Sequence, residues 1–444
     1  MILKTIVFLG IFLTYNLYAW GEHPLGSYPA LQALKELKDS KPVKVESLED
    51  FLIKEESKLA ELLELQEKWL QANVSPYKHR PDELKFIANG DRKTIKERFF
   101  NSIRVNPNFK TLSYVQQLPN KNQSNCNRLN INKVTVFHDN SFWNNVKICE
   151  IKPGSFVHPI DVIATATDEP DFGLDIGLFE NNETSHGGIY GFGVQAFGNP
   201  KLEFSSQTPF HIGFFHENFV VFGLAGFLKE NYPHIRAYQY LELAKFAFAS
   251  GHDYWGHRFL GWGSHYIQDL TQPYHSTVSP NASTGGMLWK NTIAMIGFPQ
   301  SKDDMIQLLS NRHLVLEDIQ RNLLIKIHSE SDFDHILFKS FQQIDNDSKY
   351  PEVDYFYSIQ SVAKESNSKS KIIDSLISEE VPALYVNDPT YSYDSHDGKT
   401  NIYQILKSDH KQVLINFEKP LAELFKAFGS HTRNYVRAGL KERR

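Results

Sequence analysis

Three observations predict a mainly α protein, a multi-helical body with a mixed insertion in its N-terminal half. Apolar residues recur at helical spacing over long stretches, most clearly at 47–72 and 302–328. Residues 104–165 depart from that pattern and are richer in Asn, Pro and β-branched types. A hydrophobic fraction of 41% and an aromatic fraction of 13% supply a sizeable core for 444 residues. That length is compatible with two or three domains, but the helical pattern reads as one body, with no repeat at solenoid periods.

The elements follow in order. Residues 1–19 have the form of a secretory signal, with Lys4 as the charge, Ile6 to Leu13 as the apolar run and Tyr18 and Ala19 before the cut. The run is too short for a comfortable membrane span, so the expected destination is secreted or periplasmic. Cleavage after Ala19 makes Trp20 the first residue. Residues 27–40 predict a short helix. The long amphipathic helix at 47–72 carries Leu48, Phe51, Leu52, Leu59, Leu62, Leu63, Leu65, Trp69 and Leu70 on its apolar positions. Within the insertion, 134–137 and 146–149 read as short strands or extended loop. Cys126 and Cys149, in an exported chain, are candidates for a disulfide that staples the segment between them.

Residues 166–214 read as a Gly- and Asp-rich loop. Helices are expected at 215–229, 234–250 and 252–271, the last two parted by Gly251, then a loop at 273–284 and a turn at Gly285 and Gly286. Beyond the helix at 302–328, residues 330–444 read as a helical C-terminal extension. Its helices lie near 333–344, 354–364, 369–378 and 409–428, with a Ser/Lys-rich surface loop at 363–371, a polar loop around 386–400 and a solvated basic tail at 441–444.

The chemistry concentrates at His265, Asp269 and His275. The first two are four apart and share a helix face. Pro273 turns the chain, so His275 can be aimed separately. Two imidazoles and a carboxylate suit a borderline-soft divalent ion such as zinc. Two cysteines exclude a four-cysteine zinc site, so any metal must rest on His, Asp and Glu. The net charge of −5 argues weakly against a polyanion-binding surface, although bound cations would add local positive charge.

His265, Tyr266, Asp269, Leu270, Pro273 and His275 at these offsets resemble the signature helix of the bacterial zinc-dependent phospholipase C family, which shares its fold with single-strand-specific zinc nucleases. The alanine- and glycine-containing run from Ala244 to Gly251, with Leu260 and Gly261, extends the resemblance over 244–276. The resemblance implies three zinc ions. One is expected on Trp20, through its α-amino group and carbonyl, with His23 and Asp269. A second is expected on Asp168, His265, Asp269 and either His211 or His216, with Asp171 and Asp175 in reserve for Asp168. The third is expected on His275, His313 and Glu317. His313 and Glu317 again lie four apart, but well after His275, which implies an inserted turn and helix at roughly 283–305. Each such pair also has an ordinary reading, as polar partners on a solvated face or, for the acidic run, as a turn or calcium loop. His186, His252 and His257 are expected as core histidines or as donors behind the ligands.

The activity implied is hydrolysis of a phospholipid to diacylglycerol and a phosphorylated headgroup, with Asp168 orienting water or taking its proton. The final His-xxx-Glu pair favours lipid; the Trp-Gly start is more nuclease-like. The alternatives are cleavage of single-stranded nucleic acid, and a catalytically degenerate exported scaffold. Peripheral membrane contact through aromatic loops is compatible with the sequence, and no obligate protein partner is evident.

Overall fold

The described residues are 59% helix and 4% strand, as expected for a mainly α protein. The computed structural model describes residues 22–121, 126–143, 145–281, 300–393 and 401–443. Helices of seven residues or more are α1 (Pro24–Gln32), α2 (Leu48–Asn73), α3 (Ile95–Ile103), α4 (Pro159–Ala166), α5 (Pro233–Ala249), α6 (Asp253–Asp269), α7 (Gln300–Glu330), α8 (Ile336–Gln342), α9 (Lys364–Glu380), α10 (Ile402–Asp409) and α11 (Lys411–Leu440). The expected inserted turn and helix at 283–305 falls largely outside the described residues, as do Trp20 and the signal segment.

The central element is α6, buried on every side from Tyr254 to Asp269, as a helix must be when neighbours surround it. Its glycines mark the closest approaches. A methyl group at Gly256 would lie 2.5 Å from the Phe248 ring of α5, at Gly261 2.4 Å from Ala166 of α4, and at Gly263 1.8 Å from the Tyr435 hydroxyl of α11. Each glycine costs roughly 0.5–1 kcal/mol of helix stability relative to alanine, and the tight packing offsets that. Helices α5 and α6 form a hairpin through Gly251, whose φ of +81° suits the left-handed residue after a helix end.

Helix α2 starts at Ser47, whose hydroxyl accepts from the Asp50 amide. Its buried stripe presents Phe51 to Phe246, Trp255 and Phe259. The insertion holds a three-stranded antiparallel sheet in the order β2 (Tyr114–Gln117), β4 (Lys147–Glu150), β3 (Arg128–Leu129). Cys126 and Cys149 are disulfide-bonded. The second expected strand matches β4. Residues 134–137 are not a strand, because the Val136 amide bonds to the Phe172 carbonyl in a turn. A further pair, β1 (Val43–Lys44) with β5 (Phe156–Val157), closes the insertion against the segment before α2. The insertion's end, α4, packs on α6 and belongs to the body.

Other expectations are corrected. Residues 363–371 are not a loop but the start of α9, which continues a π-helical turn at Ser358–Ala363. The buried positions of α9 are Ser366, Ser370, Ile373, Asp374 and Ile377, a helical stripe that begins with serines and so lacks a hydrophobic signal. The helix expected at 215–229 is reduced to Phe219–Leu224 and a turn at Gly226–Lys229. The last helix runs to Leu440 rather than ending near 428 and packs on α5 and α6, with Tyr435 against Gly263 of α6 and its hydroxyl donating to the Ala237 carbonyl of α5 at 2.6 Å. The described residues beyond 330 therefore include a helix that packs on the central hairpin. No helix of the described residues is long and apolar enough to cross a membrane.

Two large apolar clusters, one around α2, α5 and α6 and the other around α7 to α11, meet along α1. Leu31 joins the first, while Leu25 and Ala30 join the second. His23, immediately before α1, brings one of the polar residues singled out by sequence to this seam.

Candidate metal centre

His23 stands immediately before α1. Its Nδ1 donates to Gln268 Oε1 at 2.7 Å. Gln268 Nε2 meanwhile donates to Ser27 and Thr432 hydroxyls at 2.9 and 3.1 Å, which fixes the amide so that its oxygen faces His23. The His23 Nε2 lone pair is thereby left facing Asp269 Oδ1 at 3.3 Å and Asp171 Oδ2 at 3.8 Å.

His265 is set the same way. Nδ1 donates to the Thr167 carbonyl at 2.7 Å, and Nε2 lies 3.2 Å from Asp269 Oδ2. His211, ending a short helical turn at Thr208–His211, brings Nδ1 to 2.9 Å from both Asp269 Oδ2 and His265 Nε2. A two-way backbone strap ties this turn to the next ligand candidate: His275 Nδ1 donates to the His211 carbonyl at 2.9 Å, and the Gly213 amide donates to the His275 carbonyl at 2.8 Å. His275 Nε2 then lies 3.6 Å from Glu317 Oε1, and His313 Nε2 lies 2.7 Å from the same oxygen. Tyr274 stacks on the His313 ring and anchors its own hydroxyl on Asp374 at 2.6 Å.

Three groups of these residues could hold a metal ion: His23, His265 and Asp269; Asp171, His211 and His265; and His275, His313 and Glu317. All are at least nine-tenths buried. His23 Nε2, Asp171 Oδ1, Asp269 Oδ1, His275 Nε2, His313 Nε2 and Glu317 Oε2 make no hydrogen bond. Buried polar atoms are normally paired, and each unpaired one is costly. A cluster of bare donors on neighbouring residues fits a cation that takes their lone pairs.

The electrostatics agree. Burial pushes the Glu317 carboxyl up to about 8 and the His313 imidazole down to about 3. Burial also raises Asp171 well above the carboxylate range and lowers His211 and His275. Burial opposes ionisation of Asp269 too, but the charge of His265 and the close approach of the His211, His23 and His265 rings outweigh it and hold Asp269 low. Among the described residues the ion-pair partners of Asp171, Asp269 and Glu317 are histidines, not lysine or arginine. Asp171 and Glu317 therefore need external positive charge to ionise.

The acidic run at 168–171 divides three ways. Asp168 Oδ2 accepts from Gln116 at 3.0 Å, leaving Oδ1 unpaired. Glu169 turns to Arg258 and Trp262 at 2.9 and 2.5 Å. Asp171, in the helical turn Pro170–Phe172, faces the histidines. Asp171, held in reserve on sequence grounds, thus takes the place expected for Asp168 in the donor groups. Asp168 lies close enough for the charge of His23 to act on it, and burial raises its carboxyl to about 6.

Of the residues singled out by sequence, His23, His211, His265, Asp269, His275, His313 and Glu317 fall within the three groups. Of the two upstream histidines the structure selects His211; His216 instead donates from Nε2 to the Ile359 carbonyl at 2.7 Å. Asp175, the other reserve, is engaged by Arg236 at 2.7 Å. His252 pairs with Glu46, His257 with the Asp253 carbonyl and His186 with the Ile176 carbonyl, at 2.6, 2.6 and 3.4 Å, all apart from the donor groups. Gln268, Thr167, Asp374 and Gln116 had no signal in the sequence, since their roles depend on which backbone segment crosses beside them. A scan against protein-family models and searches of curated proteins and of solved structures return no match.

Proposed function

We propose that the chain is an exported, zinc-dependent phosphodiester hydrolase of the phospholipase C type. The observation that carries this reading is the convergence of bare, buried imidazole and carboxylate atoms from well-separated segments into three donor groups. Nitrogen and carboxylate oxygen donors in such sets suit zinc. His23 and Asp269 would hold one ion, joined by Trp20 under the family resemblance. Asp171, His211 and His265 would hold a second, with Asp269 shared between them, and His275, His313 and Glu317 the third.

Zinc bound there would supply positive charge to the phosphoryl oxygens and lower the pKa of water toward ~7. The protein's own groups do the rest. The Nδ1 bonds of His23, His265 and His275 keep their Nε2 lone pairs aimed inward. Asp168, with a carboxyl near neutrality and one bare oxygen, is suited to orient the attacking water and accept its proton. Its other oxygen is fixed by Gln116.

A phosphodiester is the fitting substrate class because its anionic oxygens repel nucleophiles unless several cations neutralise them. The Glu317 carboxylate in the last pair and the net charge of −5 favour a lipid over a nucleic acid. The test is hydrolysis of a choline phospholipid and of single-stranded DNA by the processed protein, with zinc and after chelation. Zinc-dependent release of diacylglycerol is expected. Cleavage of DNA alone would replace the lipid reading, and no hydrolysis of either by zinc-loaded protein would leave a non-catalytic scaffold.

A further inference from the structure

His211 meets the donor cluster with the opposite ring nitrogen from its neighbours. His23, His265 and His275 turn Nδ1 outward to Gln268 Oε1, the Thr167 carbonyl and the His211 carbonyl. They aim Nε2 inward, at Asp269 for the first two and at Glu317 for the third. His211 is reversed. Its Nδ1 lies 2.9 Å from Asp269 Oδ2, 2.9 Å from His265 Nε2 and 3.7 Å from Asp171 Oδ1. Its Nε2 points away, 3.8 Å from Asp175 Oδ2, and makes no hydrogen bond.

Asp175 is fully buried and firmly held. Arg236 meets its Oδ1 with Nε at 2.9 Å and Nη2 at 2.7 Å, and the Tyr266 hydroxyl donates to its Oδ2 at 2.5 Å. Arg236 is fixed in turn by the Ile103 and Arg104 carbonyls, each at 2.7 Å. The carboxylate thus stands on a support built from Arg236 of α5 and Tyr266 of α6, the latter one residue beyond His265. About 1 Å of ring movement would close the His211–Asp175 gap to hydrogen-bond distance.

We propose that Asp175 is a positioning residue that holds His211 with its proton on Nε2, so that His211 binds metal through Nδ1 while His23, His265 and His275 bind through Nε2. A neutral imidazole carries one ring proton, and a carboxylate beside one nitrogen draws the proton there and leaves the other as ligand. The reversed mode sets where the ion sits. Nδ1 is close to the ring's attachment point, so the metal is drawn toward the 208–211 turn and its strap to His275. The inference rests on the metal reading above.

The test is NMR of protein loaded with cadmium and labelled in its histidine nitrogens, reading which ring nitrogen couples to the metal. Coupling at Nδ1 of His211 and at Nε2 of His23, His265 and His275 is expected. Coupling of His211 through Nε2, or none at His211 while the other three couple, overturns this inference and leaves the metal reading intact. No coupling at any of the four overturns both. Asp175→Asn is expected to weaken metal binding in the Asp171, His211 and His265 group by about 10–100-fold and to leave the His275, His313 and Glu317 group unchanged. Equal loss at both groups, or at neither, counts against a positioning role. Tyr266→Phe, which keeps the Arg236 pair, is expected to give a smaller loss confined to the same group, and serves if the Asp175 variant does not fold.

Discussion

Replacing Glu317 with Gln separates a metal ligand from a structural ion-pair partner by the sign of its effect. Glu317 is 5% exposed, and burial moves its carboxyl from an ordinary 4.5 to about 8. A carboxyl raised on folding binds more protons in the folded state than in the unfolded one, so without metal its contribution is intact below 4.5 and is lost as the pH rises through about 8. At 1.36 kcal/mol per pH unit, ionising the unfolded chain while the folded carboxyl stays protonated costs about 1 kcal/mol at pH 5 and about 4 kcal/mol at pH 7.5. Gln copies the neutral carboxyl and has no such dependence. In chelator, urea unfolding should show the wild type losing about 3 kcal/mol relative to Glu317→Gln between those pH values. Saturating zinc should reverse the order, stabilising the wild type more, because a ligand that binds only the folded state adds stability by mass action. The reasoning fails if the Gln variant is the less stable of the two in chelator at pH 7.5, or if zinc stabilises both equally.

The remaining predictions concern sharing, processing and the insertion. Asp269→Asn should empty both donor groups around His265 and lower hydrolysis by more than about 100-fold, measured by metal analysis and lipid turnover; retention of three zinc ions would contradict the shared role. His216→Ala should leave metal content unchanged, because its ring serves the Ile359 carbonyl. A form with one extra residue ahead of Trp20 should bind at least one zinc fewer than the processed protein by elemental analysis; equal content would remove Trp20 from the ligand set. Replacing Cys126 and Cys149 with Ser opens a loop with a sequence separation of 23. That should cost about 3 kcal/mol in urea unfolding and leave the zinc content intact.

What was legible in the sequence was local. His265 with Asp269, and His313 with Glu317, could be read because a helix alone places residues four apart on one face. The choice of His211 over His216 depends on the strap to His275, and that of Asp171 over Asp168 on the turn at Pro170–Phe172; neither is encoded in spacing. The long α2 announced itself through leucines. The first turns of α9 did not, because Ser366 and Ser370 occupy its buried positions. The C-terminal segment read as an extension because nothing in its composition shows that Tyr435 fills the space left by Gly263 on α6. Contacts between segments 172 residues apart in the chain, as Gly263 and Tyr435 are, are set by the whole core and leave no local mark.

The most direct test of the central claim is anomalous diffraction at the zinc edge from crystals of the processed protein. Three peaks are predicted, each within coordination distance of one donor group: His23 with Asp269, Asp171 with His211 and His265, and His275 with His313 and Glu317. Crystals grown with zinc that show no anomalous density among these side chains, with their imidazoles and carboxyls hydrogen-bonded to one another instead, would contradict it.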